Sequence, residues 1–399
     1  MARRPQAVEN PFRIGGAVSG PYFADREDER RRIRQALVTP QEHLLVYGPR
    51  RMGKTSMLRV VQDSLRRSGH PVILADLSTA SSLSEMTTRL LQAATRELGR
   101  KWRDVAAAFA ERLRIRLTLE PDAASGLLLP SLGVGLAEAD VGAQRQTFGD
   151  VLDAIDALAA SRRVHLGLIL DEFQEIHRFG AETAEAHLRG IIQHHEHVSY
   201  VLAGSDQSLI ESMISRSRPF YKLLTPMHVG PIPEAQLASW MEQRFATVGI
   251  AAGNVGSTII AVAGPRTRDI VQLAHEIADI AHGAKRVTAE IVEAAFSAVV
   301  RAADAPYRAI WNGLTSLQQQ VLRVLAVRST GLTTAAVRRD FALTAASGSL
   351  SKTAQTLVAQ GVLTPDDNAY RYDDPFMRGW VILNALPDIG RTLPVVHTP

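Results

Sequence analysis

Residues 48–55 read GPRRMGKT, and the spacing of Gly48, Gly53, Lys54 and Thr55 is that of a P-loop built to hold a phosphate chain. The glycines let backbone N–H groups wrap a β-phosphate, Lys54 offers a compact positive charge to the β and γ oxygens, and Thr55 offers a hydroxyl to magnesium. Pro49, Arg50, Arg51, Met52 and the following Ser56 belong to the same cradle. Such a loop needs an acidic partner on a neighbouring strand. GLILDEF at 167–173 supplies Asp171 and Glu172 after an apolar run. Asp171 is expected to hold Mg2+ through water, and Glu172 to orient or polarise the water that attacks ATP. A carboxylate directly after the metal-binding aspartate points to hydrolysis and not to binding alone.

Three weaker groups surround this centre. VSYVLAGSD at 198–206 ends a strand expected between those of the P-loop and Asp171. Ser205, with Asp206 as alternate, stands where a polar side chain could sense the γ-phosphate or the attacking water, or could cap the helix that follows. Arg216 and Arg218 close that helix in this reading, as candidate arginine fingers toward a neighbouring subunit or as ordinary C-terminal cations. Arg266 and Arg268 stand at a helix start, where cations oppose the helix dipole and need a reason. Reaching a γ-phosphate is one reason, with Arg268 the better placed; pairing with Asp269 is the other.

The surrounding pattern positions these groups. An acidic-to-basic stretch at 25–38 reads as a helix with Ile33 and Leu37 on one face, followed by the strand HLLVYG and a helix from Lys54 to about Arg67. PVILADLS at 71–78 and VHLGLILDEF at 164–173 read as buried strands, MHVGPIP at 227–233 as the last one, and 87–113 as helical. Strands alternating with helices imply a parallel sheet covered on both faces. Between Arg112 and Leu119 the period changes to two, placing Arg112, Arg114 and Arg116 on one strand face. With LLLPSLGVGLAE this makes a β-hairpin insert at about 112–138. Residues 1–22 read as an irregular lead-in, 23–232 as the P-loop domain, 233–305 as a helical lid, 312–385 as a winged helix and 386–399 as a tail.

Composition narrows the classes. The chain has 399 residues, no cysteine and a formal charge of +4, so thiolate metal sites, cysteine nucleophiles and disulfide frameworks are excluded. It has no apolar leader and no run long enough to cross a bilayer, so a cytoplasmic protein without a membrane partner is expected. The histidines show no metal-site spacing.

In their order, these features resemble the AAA+ superfamily and, more closely, the archaeal-type ATPases of the STAND group. The motifs that carry the resemblance are FADRE at 23–27, GPRRMGKTSML, LILDEFQEI, VLAGSD, PFY at 219–221, AGPR at 263–266 and YRYDDPFMRGW at 370–380. RSRPFYKLL lacks the glycine-arginine motif expected after the sensor strand. The resemblance implies an α/β fold with sheet order 5-1-4-3-2, a helical lid and a winged helix, with Tyr22 or Phe23 against adenine and Arg26 nearby. It also implies a slowly hydrolysing ATP switch that controls assembly into a homo-oligomer or contact with a protein partner. The alternative is an ATP-dependent initiator or transposition-type regulator that binds duplex DNA. For that role the candidate contacts are Arg338, Arg339, Lys352 and Arg371 in the C-terminal domain and the Arg112, Arg114 and Arg116 stripe.

Overall fold

The strands, in chain order, are β1 (Leu44–Tyr47), β2 (Val72–Asp76), β3 (Leu117–Pro121), β4 (Leu128–Leu132), β5 (Leu166–Asp171), β6 (Val198–Gly204) and β7 (Thr225–His228). Five of them form one sheet in the order β2-β5-β6-β1-β7, and every neighbouring pair is parallel. With the β3–β4 hairpin set aside, this is the expected 5-1-4-3-2 order. The computed structural model describes residues 9–16, 18–99, 117–122, 127–132, 140–366 and 369–386. They fall into two compact units, 17–231 and 1–16 with 232–399.

Burial explains the apolar runs of the first unit. β5 and β6 are buried at every position, because helices cover both faces of a parallel sheet. Val46, Ile169, Val201 and Ala203 pack with Met57 and Val61 of helix Lys54–Arg67 on one face. Leu45, Leu168, Leu170 and Leu202 pack with Leu90, Phe148 and Ile155 on the other. The two sets alternate along each strand, as the period of two requires. Helix Glu27–Val38 opens with Glu27, Asp28 and Glu29, which suit its positive end.

Several expectations move. The last strand is Thr225–His228, earlier than 227–233, because its residues pair with Leu44–Tyr47 and the chain then turns away. It is an edge strand, so Pro226 is tolerated without an N–H to donate. Helix Leu83–Leu98 starts ahead of residue 87, where the Ser82 hydroxyl accepts the Glu85 N–H. The hairpin pairs Leu117–Pro121 with Leu128–Leu132 in antiparallel register. Arg112, Arg114 and Arg116 lie outside the described residues.

At the sheet edge away from the P-loop, His43 is buried and its Nδ1 accepts the Tyr200 N–H at 3.2 Å. Burial, with His195 and His165 adding, lowers its pKa to about 4. An unfolded chain protonates this histidine near pH ~6.5, so the stabilisation present above that pH is lost as pH falls toward the folded value. His43→Gln keeps an oxygen acceptor for the same N–H. Its melting temperature should fall less than the parent's between about pH 7 and about pH 5.

The second unit is largely helical. Helices Glu234–Ala246, Val255–Ala263, Thr267–Ala281 and Ala289–Ala302 come first, and Gly264 breaks the chain with a φ of 73°. After helix Asp304–Asn312 come Ser316–Val327, Ala335–Asp340 and Ser347–Ala359, the hairpin β8 (Leu363–Asp366) with β9 (Ala369–Tyr372), and helix Pro375–Asn384. Among the described residues of the lead-in, the short turn Gly20–Tyr22 is regular structure, and Phe12 is buried. Among the described residues no helix is long and apolar enough to cross a membrane.

Candidate nucleotide site

Because the sheet is parallel, the carboxyl ends of β1, β5 and β6 share one edge, and the sequence-predicted groups of the first unit gather there. Gly48 leaves β1 with a φ of 152°, and a Cβ built on it would lie 2.2 Å from the Val229 carbonyl oxygen. Only glycine fits between β1 and β7 at that point. The loop ends at Gly53 with a φ of 85°, directly before helix Lys54–Arg67. Its N-terminal N–H groups therefore face the loop's interior.

Lys54 is buried, and its Nζ donates to the Gly48 and Pro49 carbonyls at 2.8 Å each. Burial pulls its pKa down, and the Glu172 and Asp171 carboxylates oppose that shift. Thr55 Oγ1 donates to Asp171 Oδ2 at 2.6 Å. Burial pushes the Asp171 carboxyl up to about 6, against the Thr55 hydrogen bond. A hydroxyl and a buried carboxylate in contact are a hard-oxygen donor pair suited to Mg2+, which takes only one or two protein ligands when phosphates complete its shell. Among the described residues no cluster of three metal-ligating side chains exists.

Glu172 sits in the left-handed region with a φ of 54° and donates its N–H to Asp171 Oδ1 at 3.0 Å. Its Oε2 accepts from Gln174 Nε2 at 2.5 Å and from Ser205 Oγ at 2.7 Å. Gln174 also accepts the Ser205 N–H through Oε1 at 3.3 Å, and Arg50 Nε lies 3.4 Å from Ser205 Oγ. Ser205 thus faces Glu172. The capping role falls to Asp206, whose side chain accepts the Leu209 N–H at 3.0 Å. Sequence reasoning missed Gln174; its only signal was its place on the turn just after Asp171 and Glu172.

Arg26 serves the loop's backbone. It is buried and donates through Nη2 to the Met52 carbonyl at 3.0 Å and the Gly230 carbonyl at 2.7 Å, which ties the P-loop to the chain leaving β7. Phe23 packs against the cluster containing Met52 and Met57, with Arg30 over its ring at 5.6 Å. Tyr22 is half-buried in the Gly20–Tyr22 turn, Arg51 has a φ of 68°, and Ser56 Oγ accepts the Val18 N–H at 3.2 Å.

The arginines divide. Helix Gln207–Met213 ends before Arg216 and Arg218, so neither closes it as expected. Arg218 is held by the fully buried Glu185, by Glu182 and by His177 Nε2 at 3.1 Å. This withdraws it as an arginine finger, because breaking the pair would strand a buried carboxylate. Arg216 is exposed. In the second unit, Arg266 pairs with Asp373, donating through Nη1 to Oδ2 and to the carbonyl at 2.6 Å each, with Nη2 on Oδ1, and the Asp269 charge acts on it more weakly. That ion pair explains a cation at a helix start. Arg268 is exposed on the first turn. Arg338 and the exposed Arg339 lie on Ala335–Asp340, Lys352 is exposed on Ser347–Ala359, and Arg371 pairs with Asp366 at 2.8 Å.

The family described as an ATPase domain predominantly from Archaea matches residues 23–247. No curated protein matches the chain. Among solved structures, the Walker-type ATPase PABY2304 of Pyrococcus abyssi has a TM-score of 0.57 at 16% identity, over 90% of this chain and 96% of that one. The Aeropyrum pernix ORC2 protein, in ADPNP-ADP complexes, has a TM-score of 0.50 at 14% identity, over 88% and 90%. At such identities the likeness is one of fold.

Proposed function

Since the chain belongs to the archaeal-type ATPase family, through an ATPase domain of the AAA+ type, we propose that it is a slowly hydrolysing ATP switch. Its output is a nucleotide-dependent change in self-assembly or in contact with a protein partner. The observation that carries this reading is the Thr55–Asp171 contact of 2.6 Å beside Lys54 and Glu172. Lys54 would turn from the loop carbonyls to β and γ oxygens. Mg2+ held by Thr55 and Asp171 would neutralise phosphate charge. Glu172 would take the proton of the attacking water, and Ser205 would hold that water or a γ oxygen. Arg268 is the candidate for telling ATP from ADP, and Arg216 the remaining candidate for acting on a neighbouring subunit. Titration of the full chain with ATP, with and without magnesium, tests the reading. Binding that strengthens with magnesium, and hydrolysis that requires it, are expected; no ATP binding would overturn it.

The hydrogen bonds on Glu172 support slow turnover. Two donors, Gln174 Nε2 and Ser205 Oγ, occupy Oε2, and both must let go before that oxygen can take a proton. Gln174→Leu removes one donor at similar volume. It should raise single-turnover hydrolysis several-fold, leave ATP affinity unchanged, and have no effect when combined with Glu172→Gln. A rate that falls would mean that Gln174 holds the productive position.

A protein partner is favoured over duplex DNA. The exposed side of helix Ser347–Ala359 presents Ser349, Lys352, Gln355 and Thr356, one cation among neutral groups, and Arg371 is already paired. Duplex-DNA readers carry several unpaired cations for phosphate. Steep, ATP-dependent, salt-sensitive binding to random duplex DNA would reverse this preference.

A further inference from the structure

Three residues of the lead-in are built into the second unit's core. Phe12 is 1% exposed and lies edge-on to Trp240 and Phe245, with ring centroids 5.6 and 4.8 Å away. Asn10 Nδ2 donates to the His275 carbonyl at 3.0 Å and to Asp279 Oδ1 at 2.7 Å. Arg244 donates to the Pro11 carbonyl through Nε at 2.9 Å and Nη2 at 2.8 Å, and His275 Nδ1 lies 2.7 Å from the Phe12 carbonyl. Asn10 Oδ1 accepts the Phe12 N–H at 2.9 Å, which fixes the turn that drives the ring inward. A buried aromatic with its flanking carbonyls all satisfied is an anchor.

A second anchorage follows within the first unit. The Val18 N–H is bound by Ser56, the residue after Thr55. Phe23 then packs against the core, and Arg26 clamps the Met52 and Gly230 carbonyls. Between Phe12 and Val18 lie only residues 13–17. Gly15 and Gly16 within them are exposed, and a Cβ on either would meet nothing within 4 Å. The chain therefore passes between the two units twice, once here and once at Pro231–Ile232.

We infer that the short stretch of chain between the Phe12 and Val18 anchorages acts as a strap, a second covalent tether that limits the travel of the helical unit and ties it to Ser56, the residue after Thr55. Six Cα–Cα steps span at most about 21 Å. The helical unit is thus tethered at two points of the chain, here and at Pro231–Ile232. Through the strap, a shift of Ser56 on nucleotide binding would be carried toward the Phe12 anchor. The strap itself stands on these contacts, and only its use as a transmission line rests on the proposed function.

The test lengthens the tether and leaves both anchors intact. Because the chain has no cysteine, Arg59→Cys and Ala294→Cys give one label in each unit, and the distance distribution between the two dyes is read by energy transfer in the full chain. Ten Gly/Ser residues inserted between Gly15 and Gly16 raise the tether's ceiling to about 55 Å. The expected result is a clearly broader distribution without nucleotide and a loss of ATP-dependent narrowing, with ATP affinity within about twofold of the parent. Phe12→Ala in the original linker should broaden the distribution likewise. An unchanged nucleotide-free distribution in the insertion variant would overturn the strap. Absence of ATP binding by the parent would overturn the proposed function, while the nucleotide-free distances would still decide the strap.

Discussion

Lys54→Ala should weaken ATP binding about a hundredfold or more. The ammonium is held in a buried pocket by two carbonyls at 2.8 Å, where burial already disfavours its charge. That burial is offset by the nearby carboxylates, and a triphosphate would offset it better. Charge-assisted hydrogen bonds contribute about 1.5–3 kcal/mol each, so loss of one strong contact or two weaker ones reaches about 2.7 kcal/mol, the value of a hundredfold. Equilibrium titration with ATP at physiological salt reads this. The variant's thermal melt should fall modestly, because the Gly48 carbonyl loses a buried donor while the Pro49 carbonyl is only part-buried and can reach water. Parent-like ATP affinity in Lys54→Ala would reject the assignment of the phosphate site.

Glu172→Gln should separate binding from chemistry. The amide keeps the shape of the side chain and an oxygen to accept from Ser205 Oγ, now 2.7 Å from the carboxylate, but it cannot take a proton from water. ATP affinity with magnesium should be retained, and single-turnover hydrolysis should fall by at least about tenfold, a floor beneath the roughly hundredfold or larger effect of losing a general base. Hydrolysis at the parent rate would make Glu172 a structural residue that holds Ser205 and Gln174 in place.

The sheet was legible because its information is local. β1, β2, β5 and β6 each read as an apolar run, because both faces of a parallel sheet are covered, and the loop glycines are dictated by backbone geometry that a Cβ would block at Gly48. That Thr55 and Asp171 serve one site was equally legible, since Asp171 ends β5 and Thr55 lies in the first turn of the helix that follows the P-loop; their direct contact was not. What could not be read were partners distant in sequence. Arg218 looks like any helix-terminal cation until Glu185, 33 positions away, is found buried beneath it. Arg266 finds Asp373 across 107 positions. Phe12 lies in an aperiodic stretch, and its anchoring depends on Trp240, Phe245 and His275, which no local pattern ties to it. The edge strand was misplaced for a related reason: one-sided pairing lets Pro226 and polar residues into the strand, which erases the apolar signal.

The claim that ATP state is converted into a change of assembly or partner-binding form is tested most directly by comparing the full chain in three conditions. These are nucleotide-free, saturated with ADP, and saturated with ATP and magnesium as the slowly hydrolysing Glu172→Gln variant, each measured by light-scattering mass and by limited proteolysis. The ATP form should differ from the other two in mass or in protease pattern, and Arg268→Ala in the same background should bring the three together. Identical mass and identical protease pattern in all three, with ATP shown to be bound, would contradict the switch.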